Sequence, residues 1–130
     1  MSRSGYVDDC EGWELIRWRG AVASAIRGKR GQDFLRKLLA ALDAMPEKRL
    51  IEGELEQDGE VCAIGSVGRM QGMDMSNLDP TEPEEVAAAF GISEALVKEI
   101  TFVNDEWDWR GTPEKRYETV REWVVEHIAA

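Results

Sequence analysis

Residues able to carry acid–base, nucleophilic or metal chemistry are few in this chain, and they are scattered. His127 is the one histidine, three residues from the last position. At the end of an amphipathic stretch it reads as a cation suited to a helix C-terminus. Cys10 and Cys62 lie 52 residues apart, with no CxxC spacing and no histidine nearby. A structural zinc site takes about four ligands at characteristic spacing, which these residues do not supply. No GxSxG elbow is present, and neither cysteine has an adjacent base. Adjacent carboxylates such as Asp8–Asp9 and Glu84–Glu85 occur in any acidic chain. No catalytic residue, metal or cofactor is therefore assigned, and a non-enzymatic role is favoured. An enzyme of unknown class would need a deep pocket holding carboxylates with raised pKa values.

Binding chemistry is better represented. From Arg17 to Lys37 there are seven basic residues and one acid, a local +6. Within it Arg27, Lys29 and Arg30 flank Gly28 and Gly31, and they could hold a phosphate or an acidic partner. The spacing is not the GxxxxGK[ST] of nucleotide hydrolases. The plainer account is a solvated turn with cations near a helix end. Residues 50–130 hold 19 acids and 6 bases, a net −13, while residues 1–49 carry +3. Glu82, Glu84 and Glu85 form one acidic group. Asp105, Glu106, Trp107, Asp108 and Trp109 form another, with two rings that alternation in an extended segment would place on one side. Large rings normally supply buried area, which favours capping of the core beside Trp13, Trp18 or Trp123. Exposed, they would be a binding patch, since tryptophan is enriched in hot spots. Acidic surface can steer a basic partner, although it also simply keeps proteins dispersed.

The segment from Val86 to Val97 carries Ala87, Gly91 and Val97 at the spacing of a helix-turn-helix unit. Base reading needs Arg, Lys, Asn, Gln or Ser near the start of the second helix. Here that helix opens Ser93-Glu94-Ala95-Leu96, behind Glu82, Glu84 and Glu85. Acids there repel phosphate, so a packed helix hairpin is the expected role.

The elements that must position these groups are mostly helices. Leu15, Trp18, Val22, Ala25 and Ile26 recur at helical spacing over 11–27. Gly20, Ala21 and Ala23 would let another helix come close. Gly28–Gly31 punctuates the chain. Residues 32–45 form the clearest helix, with Phe34, Leu38, Leu42 and Met45 in one stripe and Pro46 ending it. Residues 49–56 suggest a short strand or irregular crossing, with a short helix as the alternative, followed by an Asp58-Gly59 turn. Residues 61–70 fit a tightly packed central helix better than a buried strand. Thr81-Glu82-Pro83, Ser93 and Thr112-Pro113 mark three helix starts. Asn104–Gly111 is expected as a loop. Tyr117, Val120, Val124 and Ile128, with Trp123 beside them, form the buried stripe of the last helix.

The expected architecture is mainly α: a bundle of five or six helices with a short two-stranded β element around 50–62, forming a single globular domain over 1–130. At 130 residues, 43% hydrophobic and 32% charged, such a chain can bury a sizeable core without a disulfide or metal. The formal charge of −10 argues against a protein that coats DNA phosphates. There is no run of 18 apolar residues, so no membrane span is expected. The N-terminus lacks an apolar signal core, which points to the cytoplasm and to free thiols.

Several strings add a resemblance. Ser2-Arg3-Ser4-Gly5-Tyr6-Val7-Asp8-Asp9, Ile16-Arg17-Trp18-Arg19-Gly20 and Ala25-Ile26-Arg27-Gly28-Lys29-Arg30-Gly31-Gln32 resemble a group of small proteins of tailed phages and prophages. Leu42–Ile51 and Gly59–Gly65 are similar to it as well. The resemblance covers most of the chain, implies the cytoplasm of a host bacterium as the setting, and assigns no residue roles. Small acidic phage proteins include inhibitors of host defence, some imitating the charge of DNA. The resulting expectation is a protein acting by protein–protein interaction, which could inhibit a host nucleic-acid-processing or defence system. The alternative is a nucleic-acid-binding accessory protein that uses the basic 17–37 hairpin.

Overall fold

In a computed structural model, described for residues 3–4, 13–107 and 111–129 (side chains of α1 from residue 17 onward), the chain is mainly helical. Helices α1 (Trp13–Arg27) and α2 (Lys29–Ala44) come first, followed by strands β1 (Glu56–Gln57) and β2 (Glu60–Val61). Helices α3 (Ala63–Met70), α4 (Pro83–Phe90), α5 (Glu94–Asp105) and α6 (Pro113–His127) complete the order. The mainly α expectation with one small β element is met.

The first two helices meet more tightly than the glycine pair suggests. Gly28 alone breaks the chain, in extended geometry, and α2 begins at Lys29. Gly31 is inside the helix and buried. A Cβ on Gly31 would fall 1.8 Å from the Ala25 carbonyl oxygen. So Gly31 is a packing glycine, and the close approach expected at Gly20 occurs there instead. Around Gly20 an added Cβ meets nothing within 4 Å.

Helix α2 buries Phe34, Leu35, Leu38, Ala41 and Leu42, the stripe its spacing predicts. It stops at Ala44 because Met45, before Pro46, is extended. Lys48 then donates to the Leu42 and Asp43 carbonyls at 3.3 and 2.8 Å, satisfying orphan acceptors of the last turn. Gln32 does the same for two other helix ends. Its amide nitrogen donates to Ile26 O at 2.7 Å and His127 O at 3.0 Å, and its oxygen accepts from Ala129 N at 2.8 Å.

Residues 50–55 cross irregularly, with Leu50 and Leu55 buried. Asp58 and Gly59 both have positive φ, the geometry of a two-residue type I′ hairpin turn. It pairs Gln57 with Glu60 and Glu56 with Val61. Helix α3 is buried from Ala63 through Gly68. Its small residues are required: a Cβ on Gly65 would sit 1.9 Å from Leu55 O, and one on Gly68 2.4 Å from Met75 Sδ.

The turn between α4 and α5 uses Gly91 in the left-handed conformation, with Gly91 and Ile92 N–H both donating to Ala87 O. Ser93 caps α5 and Thr112 caps α6, each accepting from the third residue on at 3.1 Å. Helix α5 runs through Asp105, past the start of the expected loop at Asn104. Val103 and Asn104 are buried, so burial carries the helix through Asp105 into the segment expected to be a loop. Asn104 accepts from Ala63 N at 2.9 Å and donates to Ile51 O at 2.9 Å, locking the end of α5 to α3 and the crossing.

Candidate interaction surface

The acidic group at 105–109 separates into unlike parts. Asp105 is engaged inside the molecule. Arg3 grips it through Nε at 2.5 Å and Nη2 at 2.7 Å, Asn104 Nδ2 donates at 2.8 Å, and Ser4 donates to the Glu106 carboxylate. Arg3 is itself buried, with Nη1 3.7 Å from Cys62 Sγ. Burial works against its charge, but the Cys62 sulfur and the Asp105 carboxylate outweigh that and hold the guanidinium above its ordinary range. Asp105 and Glu106 are thus engaged by Arg3 and Ser4.

Trp107 behaves differently. It is 63% exposed, held edge-on against Phe102 with centroids 6.1 Å apart. It does not cap the core. Asp108 and Trp109 lie outside the described residues.

Glu82, Glu84 and Glu85 are exposed around the first turn of α4, where the helix dipole favours negative charge. Glu82 is the cap residue and makes no side-chain cap bond. Thr81, the cap expected from its type, is used differently. Its N–H and hydroxyl both donate to Asp79 Oδ1, at 2.9 and 2.6 Å, closing an Asx turn. Those bonds hold Asp79 below the usual carboxylate range.

Arg27, Lys29 and Arg30 are all exposed around the α1–α2 turn. Lys29 pairs with Asp33 at 2.8 Å. The structure brings these three cations near one helix start.

The α4–α5 unit is a packed hairpin with Ala87 and Val97 buried. Two polar side chains of its second helix are engaged within the molecule. Ser93 is spent on capping, and Lys98 lies 3.4 Å from Glu94 and 4.9 Å from the Trp18 ring centre. Cys62 is a buried free thiol that caps α3, accepting from Gly65 N at 3.3 Å. Cys10 lies outside the described residues. His127 ends α6, as expected, and stacks on Trp123 at 4.5 Å while Nδ1 donates to Trp123 O at 2.7 Å.

A site that residue types alone do not reveal lies along α6. Glu114, Glu118, Glu122 and Glu126 recur every fourth residue, and all four are exposed or half-exposed. Four residues of helix rise about 6 Å, so the carboxylates form one ridge. Beside it opens a cleft of about 560 Å³ between α5 and α6, lined by Glu99, Trp107, Glu122, Trp123, Glu126 and His127 among others. Glu99 is only 6% exposed and accepts both arms of Arg19 at 3.1 Å. Lys115, also at the cleft, lies 3.7 Å from Glu118. Glu122 and Glu126 have no ion-pair partner among the described residues. The regular spacing is the signal available in the sequence, hidden beneath the bulk count of acids.

Among the described residues no group of three or more His, Cys, Asp or Glu side chains is placed to hold a metal ion. No described helix is long and apolar enough to cross a membrane. The chain matches no protein-family model, no curated protein and no solved structure.

Proposed function

We propose that the chain acts by protein–protein interaction, presenting carboxylates and an exposed tryptophan to a basic protein partner. The phage resemblance supplies the setting, and a nucleic-acid-processing or defence protein of the host is the partner class this surface suits. Proteins that handle nucleic acid carry positive grooves, which an acidic helical surface complements. One observation carries the reading: the ring of Trp107 and the glutamates of the α4 start and of α6 face solvent, and of these glutamates only Glu118 has an ion-pair partner among the described residues.

The test is affinity capture from nuclease-treated host lysate at low and high salt. A specific protein retained at low salt and released as salt rises is the expected result. Recovery of no specific protein from the nuclease-treated lysate, or retention indifferent to salt, overturns the reading.

A second reading rests on Arg17, Arg27, Arg30 and Lys37, which are exposed on α1 and α2. They could contact nucleic-acid phosphates. That predicts salt-dependent retardation of labelled DNA or RNA, and no retardation at low salt removes it.

A further inference from the structure

We propose that the cleft between α5 and α6 accepts an arginine or lysine side chain of the protein partner, stacked against Trp107 and neutralised by Glu122 and Glu126. This rests on the reading of the chain as a binder of basic proteins, and it names where the interface centres.

Three independent features meet there. The first is space: a cleft of about 560 Å³ falls within the usual size range of ligand sites, roughly 300–1,000 Å³. The second is the ring. Trp107 is 63% exposed yet braced by Phe102, so it is presented without being loose. A tryptophan ring is the best of the aromatic partners for a cation. The third is uncompensated charge. The basic residues that also line the cleft are engaged: Arg19 on Glu99, Lys115 near Glu118, and His127 stacked on Trp123 with Nδ1 on the Trp123 carbonyl. Glu122 and Glu126 stand one turn apart on α6 with no ion pair among the described residues. Like charges at that spacing repel, and an incoming cation relieves the repulsion.

The ridge decides the kind of occupant. Glu118 and Glu114 continue the row beyond the cleft, at steps of about 6 Å. A small organic cation would use the cleft and leave the row idle. A chain bearing several basic residues would use both. Nucleic acid has the wrong sign for either.

The experiment uses the full chain and a fluorescent oligoarginine peptide, with affinity read by anisotropy at low and moderate salt. The residues to be changed lie at the surface, and circular dichroism checks that each variant is folded. Wild type should bind. W107A, which leaves the charge unchanged, and E122Q/E126Q should each weaken binding by about tenfold, the scale of a cation–π interaction at a partly desolvated site. E82Q/E84Q/E85Q removes more charge from a different place and should weaken it by no more than about twofold. If W107A has no effect and the α4 triple variant costs as much as the α6 pair, the cleft is refuted while diffuse acidic attraction survives. If the peptide does not bind even at low salt, the cleft and the acidic-surface reading fall together.

Discussion

Gly20 and Gly31 are both helical glycines, and their replacement by alanine should move stability in opposite directions. Gly20 lies mid-way along α1 with open space where a Cβ would go. Alanine is favoured over glycine in a helix interior by about 1 kcal/mol, so Gly20→Ala should stabilise by about 0.5–1 kcal/mol. At about 2.1 cal/mol/K of unfolding entropy per residue, 1 kcal/mol is worth about 4 °C in a chain of this length. A rise of about 2–4 °C is expected. At Gly31 the same methyl would lie 1.8 Å from Ala25 O and 2.9 Å from its carbon. Both atoms are backbone, so α1 and α2 must separate by more than an ångström. Overpacking of that kind costs about 1–3 kcal/mol, sometimes more. With two backbone atoms in the way the upper part of that range applies, about 2–3 kcal/mol; less the propensity gain of about 1 kcal/mol, about 1–2 kcal/mol is lost and Tm should fall by about 4–8 °C. Thermal unfolding followed by far-ultraviolet circular dichroism, with urea titration to confirm an unchanged slope, measures both. Gly65→Ala, facing Leu55 O at 1.9 Å, should behave like Gly31→Ala. A stabilised Gly31→Ala would refute the close crossing of α1 and α2.

Three further outcomes are expected. Arg3→Met leaves Asp105 short of its bidentate donor, and loss of one partner of a buried pair should cost about 3 kcal/mol by urea denaturation; combining it with Asp105→Leu should recover much of the loss. Gln32→Ala orphans two carbonyls and one N–H at the ends of α1 and α6 and should cost about 2 kcal/mol, seen first as faster amide exchange in the last turn of α6. Asp33, Asp43, Asp74 and Asp79 are held below the ordinary value of 3.8, chiefly by hydrogen bonds from Lys29, Arg121, Ser76 and Thr81. Depressed carboxylates stabilise above the unfolded value and lose that effect as pH falls through the folded one. Tm should thus be flat with respect to these groups above about pH 5 and fall below about pH 4, and a Tm that rises on acidification would contradict the assignment.

What residue types reveal divides by the range of the interaction. Ser93, Gly91 and the Thr112-Pro113 pair act within a few residues of themselves, and their roles are plain from type and order. So is the Asp58-Gly59 hairpin. The stripe of α2 is legible because burial repeats with the helical period. Gly31 resists the same reading because a glycine that breaks a helix and one that admits a neighbour look alike until the neighbour is known. Thr81 has the right type for a cap, but Asp79, two residues earlier, competes for its hydroxyl. Asp105 is out of reach in another way: its partner is 102 positions away. In the candidate site, Trp107 and its acids stand out by type, while the α6 face shows only when charge is spaced along the helix rather than counted.

The pairing pattern also changes what the two unequal halves mean. Three cations of the first 49 residues pair with acids of the second segment: Arg3 with Asp105 and Arg19 with Glu99 across the molecule, and Arg49 with nearby Glu60. Arg121 of the acidic part returns to Asp43. The +3 and −13 segments are therefore not two opposed poles. Part of the basic segment's charge is consumed in holding the acidic one in place, and the acids it consumes include those at the end and inner face of α5. Among the described residues, the exposed carboxylates left without an ion pair include Glu54, Glu56 and Asp58 about the β hairpin, those of the α4 start, and Glu114, Glu122 and Glu126 of α6. A screened surface charge contributes little to stability, so neutralising α6 should cost the fold almost nothing. That separation lets binding be tested without disturbing the protein that does it.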